Sequence, residues 1–184
     1  MSNNATASST AAALIVDALP AGGPPPFRTT TSTISAAAVE EAVALLLTSH
    51  VTLVGRCLPH LRESGRGRIV AIESSSVREP LANLALSNAV RPGVVGWLKT
   101  LARELGPDGI TVNTIAPGSI DTDRLRSLRG PDGPGAAELE SIPLRRLGQA
   151  SEIATVVTFL ASDRAAYVTG AVIPVDGGLT RSLL

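Results

Sequence analysis

Apolar residues along this 184-residue chain recur with two different spacings. Near-continuous apolar runs occur in "LIVDAL" (Leu14 to Leu19), "RIVAIES" (Arg68 to Ser74), "ITVNTIAPG" (Ile110 to Gly118) and "GAVIPVDGG" (Gly170 to Gly178). Such runs predict strands buried on both faces, as in a parallel sheet, and Pro174 points to an edge or an irregular pairing in the last of them. Between the runs the spacing is helical. Val39, Val43, Leu47, Val51, Val54, Leu58 and Leu61 form one stripe, opened by Ser35 as N-cap and closed by Gly65. Val90, Val94, Leu98, Leu101 and Leu105 form a second, from about Ser87 to "GPDG", with Pro92 expected in or near the first turn. Ile153, Val156, Val157 and Leu160 mark a third helix beginning at Ser151.

Strands alternating with helices predict an α/β fold, a doubly wound parallel sheet in one domain over residues 14–184. Residues 1–13 are small, polar and aperiodic and read as a disordered lead. "PAGGPPPFRTTTSTIS" (Pro20 to Ser35) reads as a turn-rich loop.

Charge removes several function classes. The formal net charge is zero and 44% of residues are hydrophobic, which gives no electrostatic reason to expect nucleic acid or an anionic membrane. No apolar run reaches the ~20 residues that span a bilayer, and "MSNNATASSTAAA" lacks a signal peptide's basic start, so a cytoplasmic protein is expected. Cys57, the single cysteine, sits in an apolar stretch and reads as a small buried hydrophobe. With two histidines, His50 in mid-helix and His60 near a helix C-terminus, no metal site is expected. Lys99 is the only lysine among many arginines, the bias of a GC-rich genome.

From Leu14 to Gly178, "AGGPPP", "LPHLRESGRGRIVAIESSS", "GVVGWLKTLARELGPDGITVNTIAPGSIDTD", "EIATVVTFLASDRAAYVTG" and "VDGG" follow one another in a familiar order. In these pieces the chain resembles the short-chain dehydrogenase/reductase family, in the style of 3-oxoacyl-acyl-carrier-protein reductases. The resemblance begins at the family's fourth strand. It implies a partial Rossmann-type sheet lacking the first three βα units and the glycine-rich turn that receives the cofactor pyrophosphate.

The resemblance also locates the chemistry. The family uses a serine, a tyrosine thirteen residues on as general acid/base, and a lysine four further that lowers the phenol pKa; these positions are Ser74, Ser87 and Arg91 here. The family asparagine falls near Leu46, and its "NNAG" pair near "LPAG" (Leu19 to Gly22). Only Ser74 keeps its type, and capping the end of a strand is its plainer role. Pro117, Gly118, Ile120 and Thr122 match a loop that contacts nicotinamide, read here as vestigial, with Asn113 bonding local backbone and Asp121 and Asp123 as loop carboxylates. Halohydrin dehalogenases, similar to this family, carry arginine at the lysine position but depend on the absent tyrosine, so Arg91 is expected at a solvated or interface position. Tyr167, the sole tyrosine, is expected to pack.

The resemblance therefore implies a degenerate, non-catalytic subunit that binds no cofactor itself. Its partner would be a full-length catalytic NADP-dependent reductase in a hetero-oligomer, expected as a heterotetramer, acting on β-hydroxy or β-keto acyl groups held on an acyl carrier domain. Non-catalytic reductase-like subunits of aminocoumarin antibiotic pathways are similar. In the family the two long helices pack across a twofold axis, and Gly93 and Gly96 leave small surfaces for close approach. Without the first three strands, "LIVDAL" would be an apolar edge. The alternatives are a self-sufficient NADP-dependent reductase with a substitute acid and a non-functional truncated gene product.

Overall fold

The computed structural model describes residues 12–17, 34–123, 125–126 and 133–183. Most of the expected lead, the loop from Pro20 to Thr33 and "LPAG" lie outside the described residues, and Ala13 already belongs to a strand. In chain order the regular elements are β1 (Ala13–Asp17), α1 (Ala36–Val43), α2 (Ser49–Glu63), β2 (Arg68–Ile72), α3 (Ala85–Leu105), β3 (Thr111–Pro117), β4 (Ile120–Asp121), α4 (Ala136–Ser141), β5 (Gly148–Gln149), α5 (Ala150–Leu160) and β6 (Val172–Val175). Four strands form an all-parallel sheet in the order β1-β2-β3-β6, with Ile69 opposite Val112 and Thr114 opposite Val172.

Successive strand residues point to opposite faces, so each buried strand feeds two cores. Ile69, Ala71 and Val112 pack with Val54 and Leu61 of α2 and Leu98 and Leu101 of α3. Val70 and Ile115 pack on the other face with Ile153, Val157 and Leu160 of α5. That two-sided covering is why the strands read as continuous apolar runs, each fully buried aliphatic side chain contributing about 1.5–3 kcal/mol. β1 pairs only with β2 among the described residues, and Ile15 on it is half exposed. β6 is the opposite edge, where Pro174 is tolerated.

The interior of β3 contains one amide, and it ties the end of the chain to the sheet. Asn113 is buried; its Nδ2 donates to the Val168 carbonyl at 2.8 Å and its Oδ1 accepts from the Ala171 N–H at 3.1 Å. These partners are more than fifty residues away, so the bonding is to backbone but not local.

Several helical expectations shift. Ser35 does cap α1, accepting from the Ala38 N–H, and Gly65 adopts φ 64° just beyond α2. Between α1 and α2 lies a π-helical turn, Ala44–Thr48. The buried face there is Ala42, Leu46, His50 and Val54, while Val39, Val43 and Val51 of the expected stripe are exposed. The sequence carries two adjacent apolar stripes on this helix, and spacing alone does not distinguish them. The stretch Ala36–Glu63 is also apolar and long enough by composition to cross a bilayer, contrary to the expectation from uninterrupted runs. In the fold one face of it is covered, with Val54 and Leu61 against the sheet and His50 beside Glu73.

Helix α3 begins at Ala85, so Pro92 lies beyond its first turn and leaves the fourth preceding carbonyl without an N–H donor. A Cβ at Gly93 or Gly96 would meet nothing within 4 Å. Helix α5 is capped by Gln149, which shares a reciprocal capping box with Glu152, and it starts at Ala150, one residue before the expected Ser151. Tyr167 is fully exposed rather than packed, because the turn before β6 directs Ala165 and Val168 inward instead.

Candidate active site

The carboxyl ends of the parallel strands gather the residues singled out by the sequence. Ser74 follows β2, and its Oγ accepts from the Ser76 N–H at 3.1 Å, capping the 3₁₀ turn Ser75–Val77. That cap places Ser76, whose Oγ lies 3.3 Å from Ser87 Oγ in the first turn of α3, both side chains buried. Leu46 is fully buried among Ala42 and Leu86, an apolar plug at the asparagine position.

Arg91 lies one turn beyond Ser87, and it is neither solvated nor at the surface. It is 3% exposed, and its Nη1 donates to Glu73 Oε2 at 2.7 Å. Glu73 is the residue between β2 and Ser74, and its other oxygen lies 3.1 Å from His50 Nε2, with both side chains fully buried. Neither Glu73 Oε1 nor His50 Nε2 has an aligned hydrogen-bond partner, so their contact is one of proximity. The geometry follows from placement: Arg91 on α3 cannot be buried without a counter-ion, and the end of β2 is where a carboxylate reaches it. Ser49, next to His50, donates to the Leu45 carbonyl and lies 3.4 Å from His50 Nδ1.

The loop after β3 completes the site's edge. The Gly118 N–H donates to the Val175 carbonyl at 3.1 Å, and a Cβ at Gly118 would lie 2.7 Å from Asp176 Cα. Only glycine permits that backbone approach, so Gly118→Ala is expected to lower stability by roughly 1–3 kcal/mol, read as a lower denaturation midpoint with an unchanged slope. Ile120 and Asp121 pair with Gly148 and Gln149, and the Thr122 Oγ1 accepts from the Leu125 N–H. Asp121 and Asp123 both bind Arg126, at 2.9 and 3.3 Å. Asp176, in "VDGG", has a lowered pKa: burial works to raise it, but hydrogen bonds from Thr180 and the backbone of Gly178 and Leu179 prevail. Pro117, Gly118, Ile120 and Thr122 thus lie in an ordered segment at the strand ends, and the described residues contain no glycine-rich turn of the kind that receives a dinucleotide pyrophosphate.

Beside this loop, Glu152 takes two hydrogen bonds from Arg146, at 2.7 and 2.8 Å, and one from the Gln149 N–H, which hold its pKa at about 2 against an ordinary 4.5. A depressed carboxylate pKa adds stability that is present above the ordinary value and is lost as pH falls towards 2. Denaturation midpoints should therefore fall between pH 5 and pH 2 more steeply in the wild type than in Glu152→Gln, the two converging at the acid end.

A family model described as enoyl-(acyl carrier protein) reductase matches residues 15–180. The chain belongs to this family of short-chain dehydrogenases/reductases. It is 52% identical over 118 residues to a 3-oxoacyl-[acyl-carrier-protein] reductase of Pseudomonas aeruginosa, covering 63% of this chain and 46% of the relative. The corresponding reductase MabA of Mycobacterium bovis is 41% identical over 133 residues, covering 72% and 53%. The chain thus spans about half the length of these curated relatives. Among solved structures, YwfH, described as an NADPH-dependent reductase involved in bacilysin biosynthesis, superposes with a TM-score of 0.84 at 27% identity, over 94% of this chain and 68% of its own. An NADPH-bound short-chain oxidoreductase of P. aeruginosa PAO1, described as containing an atypical catalytic center, gives 0.82 at 31% identity, over 94% and 66%.

Glu73 and the approach of His50 to it were missed from the sequence. The signal was present in "RIVAIES": a carboxylate closing a strand buried on both faces demands a cation, and Arg91 was the basic residue already placed near it.

Proposed function

We propose that this short-chain reductase chain works in the NADP(H)-dependent interconversion of β-oxo and β-hydroxy acyl groups, and that its altered centre takes part in the reaction. The observation that carries the reading is the buried Arg91–Glu73–His50 cluster, in which Arg91 stands at the family's lysine position. Burying three ionisable groups is costly, and a site with no task would relax to apolar residues, as Leu46 has done at the asparagine position. The solved neighbour described as holding NADPH with an atypical catalytic center supports the same reading. So do the acyl-carrier-protein reductases among the relatives, which point to a thioester-bound acyl substrate.

When bound, the reduced nicotinamide supplies the hydride. The chain's own residues order the site: Ser74 and Ser76 fix the turn behind Ser87, and Pro117 to Thr122 would hold the nicotinamide end. The pyrophosphate end needs residues outside the described set, and a full-length reductase as partner in a hetero-oligomer, expected as a heterotetramer, supplies them in this proposal.

A second reading has its own support. Ser87 is an aliphatic hydroxyl already engaged with Ser76 and is far weaker as an acid than a phenol, which favours a non-catalytic subunit that stabilises a catalytic partner. Service in an antibiotic pathway extends either reading. Co-expression with a full-length short-chain reductase, size-exclusion chromatography with mass detection, and NADPH titration test them together. A mixed oligomer whose NADPH-linked turnover falls when Arg91 is replaced supports the first reading. Turnover indifferent to Arg91 but lost with the partner's tyrosine supports the second.

A further inference from the structure

Ser76, Ser87 and Arg91 are at most 5% exposed, so access to them requires part of the fold to move. The loop over residues 78–84, between the Ser75–Val77 turn and α3, is tied down on two sides. On the α3 side, Asn88 Oδ1 accepts from the Leu81 N–H at 3.1 Å and Asn88 Nδ2 donates to the Leu81 carbonyl at 2.8 Å. On the β6 side, Arg78 Nη1 donates to the Val172 carbonyl at 3.2 Å, and Glu79 Oε2 accepts from the Arg181 N–H at 2.9 Å. Arg181 lies 102 residues further along, in the segment that follows β6.

That segment is rooted firmly and reaches the loop lightly. At its root, Asp176 Oδ2 accepts from both the N–H and the hydroxyl of Thr180, and the Leu144 N–H donates to the Gly177 carbonyl. Gly177 and Gly178 have φ of 65° and 86°, conformations that glycine adopts without strain, and they run close against Ile142 and Pro143. A cleft of about 320 Å³ beside Asp176 and Gly177, towards Arg146 and Glu152, leaves this pair room to turn. At the far end the bond from Arg181 to Glu79 lies at the surface, where water replaces such a bond at small cost.

We infer that residues 176–181 are a strap that pivots on Gly177 and Gly178 and, latched to Glu79, holds the loop closed so that Ser76 stays on Ser87. The inference concerns access to the site and goes beyond either reading of the function. Asn88 keeps Leu81 on α3 when the latch opens. The part that lifts is therefore residues 76–79, and what it uncovers is Ser87.

The test uses the full chain with a reporter thiol under the loop, Ser87→Cys in a Cys57→Ser background, reacted with 5,5′-dithiobis(2-nitrobenzoate). Glu79→Ala removes the acceptor of the latch and Arg181→Pro removes its donor. Each should speed labelling at position 87 at least threefold, and the two together no more than either alone, because they break one bond. Glu79→Gln, whose amide oxygen still accepts from the Arg181 N–H, should label at the original rate. A second reporter, Ala71→Cys at the centre of the sheet, should be unaffected. Amide hydrogen exchange reads the same motion without any thiol: in Arg181→Pro the Arg78 and Glu79 amides, which bond to the Ser75 carbonyl, should exchange at least threefold faster. Unchanged exchange at these amides in folded Arg181→Pro overturns the strap. Equal acceleration at positions 87 and 71 also overturns it, since the bond would then support the whole domain and not the loop.

Discussion

Arg91→Met is expected to destabilise the chain by about 3–5 kcal/mol, a fall in Tm on the order of 10 °C, because it strands the fully buried Glu73 carboxylate. The cost belongs mainly to the orphaned charge and not to the lost pair. Glu73→Leu combined with Arg91→Met removes both charges and should recover most of the loss, since a buried ion pair and an apolar pair of similar volume are often near equal in stability. Chemical denaturation of the two single variants and the double variant, analysed as a cycle, checks this directly. Additive losses would mean that Glu73 and Arg91 do not interact.

Asn113→Leu is the second large effect. It deletes both hydrogen bonds from Asn113 and leaves the Val168 carbonyl and the Ala171 N–H without their partner beside β6. Each unsatisfied buried group costs about 1–3 kcal/mol, so a loss of roughly 2–6 kcal/mol is expected. The loss should be local in character: amide hydrogen exchange should accelerate most from Tyr167 to Val175, with Ile69 to Ala71 at the centre of the sheet moving less. Uniform acceleration would show that Asn113 supports the whole domain rather than its last strand.

The fold was legible because strands covered on both faces leave near-continuous apolar runs, and β2 carries that signature from Ile69 to Ile72. Helix ends were legible where a residue type has one local role, as with Ser35 and Gly65. Faces were harder. Val39 and Val43 are as apolar as Ala42 and Leu46, and the choice between two stripes is made by the tertiary contacts of α3 with the π-turn, which no local pattern encodes. Motif spacing located the site through Ser74, Ser87 and Arg91. The identity of Arg91's partner depended on the end of β2 meeting α2 and α3 in space, so an arginine read as solvated proved to be buried. Asn113 shows the same limit, since its partners are supplied by a segment far along the chain.

The most direct test of the central claim follows a deuterium label from C4-deuterated NADPH into a β-hydroxyacyl product. This chain would be co-expressed with a short-chain reductase whose own catalytic tyrosine has been replaced by phenylalanine, and acetoacetyl-N-acetylcysteamine would be the substrate. The product's mass would be read with wild-type chain and with Arg91→Lys. The account predicts deuterium in the product with the wild-type chain and at least a tenfold slower incorporation with Arg91→Lys. A mixed oligomer that forms normally yet transfers no deuterium once the partner's tyrosine is gone would contradict it, and would make this chain a non-catalytic subunit.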